Sequence, residues 1–191
     1  MKPADAPHLR IESIAQWRAW LAEHHADADP GVWLEWRRRT SHPEALDYDE
    51  VAMEALSFGW IDGHAKSIDT EWSMLWVTRR RRDSWWSRLS KERVARAESE
   101  GRMTDAGRAV IEAAKADGSW SRGDAVEALV VPDDLAAALA EHPGAREAYD
   151  GFAPSTRKQI LQWIVVAKRD ETRARRVEET ARLAAEGRPA Q

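Results

Sequence analysis

The sequence contains no cysteine. That removes disulfides, thiolate nucleophiles and cysteine-ligated zinc, and it suits a reducing compartment. Long apolar runs are missing too, and nothing approaches the ~20 residues that a membrane-spanning helix needs. Met1 to Arg10 is polar and holds two prolines where a secretory signal would hold an apolar stretch. Together these absences predict a cytoplasmic chain with no membrane span. The six histidines show no HExxH-like spacing, so no metal and no cofactor is expected. Phenylalanine and tyrosine are scarce, with two of each.

Tryptophan takes their place, with 11 residues. An indole is bulky and carries one N–H that needs a partner when buried. Much of the core must therefore be indole, although aromatic side chains also build ligand pockets and interfaces. The 191 residues, 43% hydrophobic and 32% charged, have the composition of an ordinary globular chain of one or two domains. A formal net charge of −4 argues against nucleic-acid binding over the whole surface. The charge is uneven, however: Thr78 to Arg102 holds nine Lys/Arg against four Asp/Glu.

Ser13 to Gln16 reads as a capping box, and Ile14, Trp17 and Leu21 follow at helical spacing, so a helix over about 14–25 is predicted. Asp29-Pro30-Gly31 should break it. Gly31 to Arg37 has strand character. Asp47 to Glu50 is a second capping box, opening a helix with Val51, Ala55 and Phe58 on one face and Gly59 at its left-handed C-terminal cap. Trp60 to about Ile68 and Trp72 to Thr78 read as a hairpin around Asp69-Thr70. From Ser84 onward the pattern is helical. Ser90 and Thr104 are candidate N-caps, Gly101 and Gly118 candidate stops, and Gly118 to Pro132 the loosest segment. Short helices follow Pro132 and Pro143, and one long helix from Pro154 carries an apolar stripe through Trp163, Ile164, Ala174 and Val177. The fold class is α+β: mostly α-helical, with a small, about three-stranded antiparallel sheet in the N-terminal half and an all-helical C-terminal segment. The expected division is 1–123 and 124–191, packed as one body. Trp17, Leu21 and Trp163 should be core residues.

Several ordered blocks then resemble one family. They are Trp17-Arg18-Ala19-Trp20-Leu21 with Gly31-Val32-Trp33-Leu34; Ala55 to Gly63, ending Gly59-Trp60-Ile61-Asp62-Gly63, with Lys66 and Asp69 behind it; Thr78 to Ser90; Gly101-Arg102-Met103-Thr104 with Ala114-Lys115; and Trp163-Ile164 with Lys168, Thr172, Arg173 and Arg176. Over roughly residues 9 to 188 the chain resembles the YdeI/OmpD-associated (OmdA-type) family. The resemblance implies a role in bacterial protection against bacteriocins or antimicrobial peptides, or in stress. It departs from the family's pattern at Arg79, where the family has proline, at Arg88 for lysine and at Ser90 for asparagine.

The residues themselves offer several sites. Gly59 to Gly63 is a structural turn or a pocket floor with Asp62 aimed at a ligand or an arginine. In a strand Asp62, His64 and Lys66 share a face, which makes Asp62 and His64 the candidate acid–base pair. Arg79 to Arg82 is a solvated loop or an anion site built from guanidinium forks, and Arg80 matches the family's arginine. Ser84 and Trp86 lie beside it. Lys168, Thr172 and Arg176 recur at every fourth position and would share one helix face. The candidate ligand-binding set is thus Trp60, Asp62, Lys66, Arg80, Ser84, Trp86, Lys168 and Arg173. Trp60, Asp62, Arg80 and Trp86 should share one neighbourhood. Three functions are open: a non-enzymatic protein binding a small anionic ligand or a protein partner; an enzyme on a small anionic substrate, with Asp62 and His64 as acid–base pair and Arg80 as clamp; and nucleic-acid binding through Arg79 to Arg82 with Trp85 and Trp86.

Overall fold

The computed structural model describes residues 6–27 and 31–190, so the Asp29-Pro30 break lies outside the described residues. The chain divides into two compact units, the first ending at Ser121 and the second beginning at Arg122.

The first unit runs β1 (His8–Arg10), α1 (Ile14–His24), β2 (Gly31–Arg37), α2 (Tyr48–Ser57), β3 (Trp60–Ser67), β4 (Trp72–Arg79), α3 (Arg88–Ser99) and α4 (Asp105–Ala116). Ser13 caps α1 by accepting from the Gln16 amide at 3.2 Å. Asp47 caps α2, accepting from the Asp49 amide at 2.8 Å. The sequence placed the start of α3 at Ser90, but Ser87 is the cap: its Oγ accepts from the Ser90 amide at 3.1 Å.

The sheet has four strands in the order β1-β2-β4-β3, with β2, β4 and β3 antiparallel as a meander and hairpin would be. The three-stranded antiparallel expectation is corrected by β1, which pairs parallel to β2. A three-residue strand is too short to show alternation in sequence. Its place comes from contacts made across the chain: the Trp33 amide donates to Pro7 O and the Ile11 amide to Glu35 O, both at 2.9 Å.

A second correction concerns β3. Asp62 pairs with Val77 and Ala65 with Leu75, so Gly63 and His64 together stand opposite Trp76. This β-bulge reverses the side-chain alternation beyond it. Gly63 is suited to the spot, since a Cβ there would lie 3.1 Å from Trp76 Cδ1 and 3.2 Å from its carbonyl oxygen.

One sheet face packs on α1 and α2 through Trp17, Leu21, Leu34, Val51, Trp60 and Val77, all buried. Two of these indoles meet their hydrogen-bond requirement on backbone carbonyls, Trp17 on Val51 O at 3.1 Å and Trp60 on His25 O at 3.2 Å. The remaining faces of α2 pack on α3 and α4 through Met53, Leu56, Trp86, Val94 and Ile111. Every residue of α2 from Val51 to Ser57 is buried in consequence.

The second unit is helical: α5 (Asp124–Glu127), α6 (Asp133–Glu141), α7 (Ala145–Gly151), α8 (Pro154–Val165) and α9 (Asp170–Ala185). Its α9 packs against α6, α7 and α8, around Leu135, Tyr149, Ile160, Ile164, Val177 and Ala181. The single long helix expected from Pro154 is two helices. The Ala167 amide turns back to Ile164 O at 3.2 Å, so it does not continue the ladder to Trp163 O. The Arg176 guanidinium donates to that freed carbonyl and lies over the Trp163 ring, 5.0 Å from its centroid. Trp163 is therefore half-buried at a helix corner rather than a core residue.

Candidate functional site

Arg80 follows the end of β4, and its amide donates to Gly59 O at 3.0 Å. Gly59 closes α2 with φ +79°, and a Cβ there would meet Val110 Cγ2 at 2.7 Å. The motif that looked distinctive in sequence thus anchors the arginine run against α4. Beyond Arg80 the chain turns through Asp83 at φ 63°, with the Ser84 amide donating to Arg81 O at 3.3 Å.

The Arg80 side chain is buried, only 8% exposed. Its guanidinium stacks on Trp86, 3.5 Å from the ring centroid, and donates through Nη2 to Trp85 O. Nε and Nη1 are buried with no partner, and so is Ser84 Oγ in the same turn. Burial pulls the Arg80 pKa down to about 10, against which the charge of Asp62 pushes up. The guanidinium is therefore still charged at neutral pH, desolvated, with two unused donors. An unsatisfied buried donor is costly, more so on a charged group.

Its surroundings sharpen the anomaly. Arg10, Arg18, Arg93, Arg96 and Arg102 all pair with carboxylates. Among the described residues, Arg80, Arg81 and Arg82 form no such pair. They border two adjoining depressions that share Arg80, Arg81 and Val110 as a common wall. The smaller, about 230 Å³, adds Arg82, Trp86, Ala113 and Asp117. The larger, about 470 Å³, adds His25, Phe58, Arg79 and Ala106.

Asp62 on β3 borders neither depression, but its charge acts on Arg80. The Tyr48 hydroxyl donates to its Oδ2, and Arg93 Nη1 lies 3.7 Å from Oδ1. Burial and that hydrogen bond push the Tyr48 phenol up to about 12. Arg80 and Trp86 are in contact, and Asp62 reaches Arg80 only through its charge. Trp60 adjoins them along the chain, but its ring points into the core against Trp20. His64 and Lys66 are on the other sheet face, because the bulge stands between them and Asp62. His64 packs edge-on against Trp33 at 5.2 Å, and Lys66 Nζ lies 4.9 Å from the same ring. The structure does not bring His64 to Asp62.

Lys168 and Arg173 belong to the second unit. Lys168 is exposed in the break between α8 and α9, so it does not continue a helix face with Thr172 and Arg176. Arg173 forks onto Asp134, with Nε to Oδ2 at 2.7 Å and Nη2 to Oδ1 at 3.0 Å.

Sequence reasoning missed the ionic network under α2. Glu54 is fully buried; it accepts from Arg18 on one oxygen and from Arg102 Nη2 on the other at 2.5 Å. Glu50 receives Arg96 and Arg102, the latter at 2.7 Å. Burial lowers the Arg102 pKa, but hydrogen bonds to Glu54 and Glu100 outweigh it and hold the pKa above the usual value. The available signal was Glu54, a carboxylate inside the apolar run Val51 to Leu56, with Glu50 one turn before it.

No curated protein and no solved structure matches this chain. A family profile described as a domain of unknown function (DUF8412) matches residues 9–110, more than half of the chain. A second, described as bacteriocin-protection, YdeI or OmpD-associated, matches residues 128–187. Gly59 to Gly63 and the arginine run fall in the first match. The chain therefore belongs to the DUF8412 family through its first unit, and its second unit carries the YdeI/OmpD-associated domain that the sequence resembles.

Proposed function

We propose that this protein is a bacterial, cytoplasmic binding protein that captures a small anion at Arg80, in the protective role that the bacteriocin-protection description of its second domain names. The observation that carries the reading is the buried guanidinium with two unpartnered nitrogens, stacked on Trp86 at the wall shared by two open depressions. A small shift of the Arg80 turn that uncovers these nitrogens would let a phosphate, sulfate or carboxylate supply the missing acceptors, and a planar fork suits such oxygens. Asp62 then acts as a positioning residue, tied down by Tyr48 and lending charge compensation to Arg80. Binding is favoured over catalysis because Asp62 is committed to Tyr48 while His64 packs on Trp33.

Thermal shift against phosphate, sulfate and citrate tests the proposal. A ligand at a hundred times its Kd stabilises by about 2.7 kcal/mol. Arg80→Met, which keeps much of the volume over Trp86, should abolish the response without lowering the melting temperature of the unliganded protein. Arg80→Lys should retain only a weak response, since the ammonium lacks the fork. Single Arg79, Arg81 and Arg82 alanine variants should still respond. Equal, additive losses across all four arginines, with DNA or RNA binding that falls steeply with salt, would instead make nucleic acid the partner.

A further inference from the structure

The two depressions beside Arg80 differ in a way that bears on the ligand's chemistry. The larger is bordered by Arg79, Arg80, Arg81 and His25, and among the described residues no carboxylate lines it. The smaller carries Asp83 and Asp117 as well as arginines, and its wall is apolar where Trp86, Val110, Ala113 and Ala114 meet. A dianionic group gains most in the first, where the charged side chains among the described lining residues are arginines. In the second, Asp83 and Asp117 stand beside the three arginines, so a negative charge gains less there than in the first, and the apolar wall favours an uncharged body. Size points the same way. Small-molecule sites span about 300–1,000 Å³. The smaller lobe, at about 230 Å³, falls below that range, while the larger, at about 470 Å³, lies within it. The smaller lobe fits part of a ligand better than the whole of one.

We infer that the ligand is a phosphate monoester of a small uncharged organic body, with the phosphoryl group in the larger lobe against Arg79, Arg80 and Arg81 and the body in the smaller lobe against Trp86 and Ala113. This rests on the anion site at Arg80 and goes beyond it by assigning each lobe a chemical task. The face of α4 divides accordingly: Ala106 borders the phosphoryl lobe, Ala109 and Ala113 border the body lobe, and Val110 stands between them.

Isothermal titration of the full chain with inorganic phosphate and with phenyl phosphate tests this. Phenyl phosphate should bind at least tenfold more tightly than phosphate. Ala113→Leu, filling the smaller lobe, should erase that advantage and leave phosphate affinity unchanged. Ala109→Leu is an independent obstruction of the same lobe should Ala113→Leu fail to fold. Ala106→Leu should weaken both ligands together. Equal affinity of the wild type for the two compounds, or an advantage that survives both obstructions, would overturn the two-lobe assignment while leaving the anion site standing. Failure of either compound to bind, or binding undiminished in Arg80→Met, would overturn the anion site and this inference with it.

Discussion

Replacing Glu54 tests whether the ionic network beneath α2 holds the first unit together. The Glu54 side chain is fully buried, whereas those of Arg18 and Arg102 are 39% and 22% exposed. Both carboxylate oxygens are used, Oε1 by Arg18 and Oε2 by Arg102. Removing one partner of a buried ion pair costs about 3–5 kcal/mol when the other is left uncompensated. Arg102 would not be left so: Glu50 at 2.7 Å and Glu100 at 3.2 Å still hold its Nη1. Arg18 likewise keeps Arg102 O at 3.1 Å. Glu54→Gln should therefore fall near the bottom of that range, about 3 kcal/mol. It removes the charge at nearly constant volume and turns an amide N–H₂ toward a guanidinium. Glu54→Ala should cost more, because it adds an unfilled space. Urea denaturation measures both, with the midpoint shifting and the slope unchanged if only native stability moves. The exposed i, i+4 pair Arg146–Asp150 is the control, since such pairs contribute about 0.3–0.5 kcal/mol. A Glu54→Gln loss no larger than that of the control pair would refute the claim that this buried carboxylate is held by its arginines.

Three further outcomes follow from the same geometry. Gly59→Ala should destabilise by about 1–3 kcal/mol from its left-handed backbone, and Val110→Ala should relieve only the part due to the 2.7 Å contact with Val110 Cγ2, which a double-mutant cycle separates. Trp17→Ala should cost about 3–5 kcal/mol, whereas Trp163→Ala at its half-buried corner should cost clearly less in the same chemical denaturation; equal losses would place Trp163 in a core. Glu35 is desolvated, yet hydrogen bonds from His8 and Arg10 outweigh that and hold its pKa below the ordinary value. Its folded pKa lies below the unfolded one, so the stabilisation is present above about pH 4.3 and lost as pH falls through the folded value. Melting curves of wild type and Glu35→Gln should converge on acidification, and parallel curves would contradict the assignment.

Much of the fold was legible because its signals are local. Ser13 and Thr104 cap helices by bonding amides three residues away. Gly59, Gly101 and Gly118 end helices at positive φ, a conformation that side-chain-bearing residues adopt at a cost. Gly31 to Arg37 and Trp72 to Arg79 have the branched and aromatic content of paired strands. The candidate site was legible only in part. Arg80, Ser84 and Trp86 stand close together in sequence, and Asp62 acts on Arg80 electrostatically from the neighbouring strand. The separation of Asp62 from His64 could not be read. Strand parity is a period of two, and the bulge opposite Trp76 inserts one residue, which sends everything beyond it to the other face. The pairing of β3 with β4 around Trp76 sets that register, and Gly63 accommodates it by lacking a Cβ. The parallel β1, the burial of Glu54 and the break between α8 and α9 have the same origin. Each depends on a partner far along the chain or beyond the next turn: Glu35 for β1, Arg102 for Glu54, Arg176 for the freed Trp163 carbonyl. Sequence periodicity fixes which face of an element is apolar, because that follows from backbone geometry alone. Which buried polar group finds its partner is settled only when distant segments meet, because the free energy of that pairing exists only in the assembled fold.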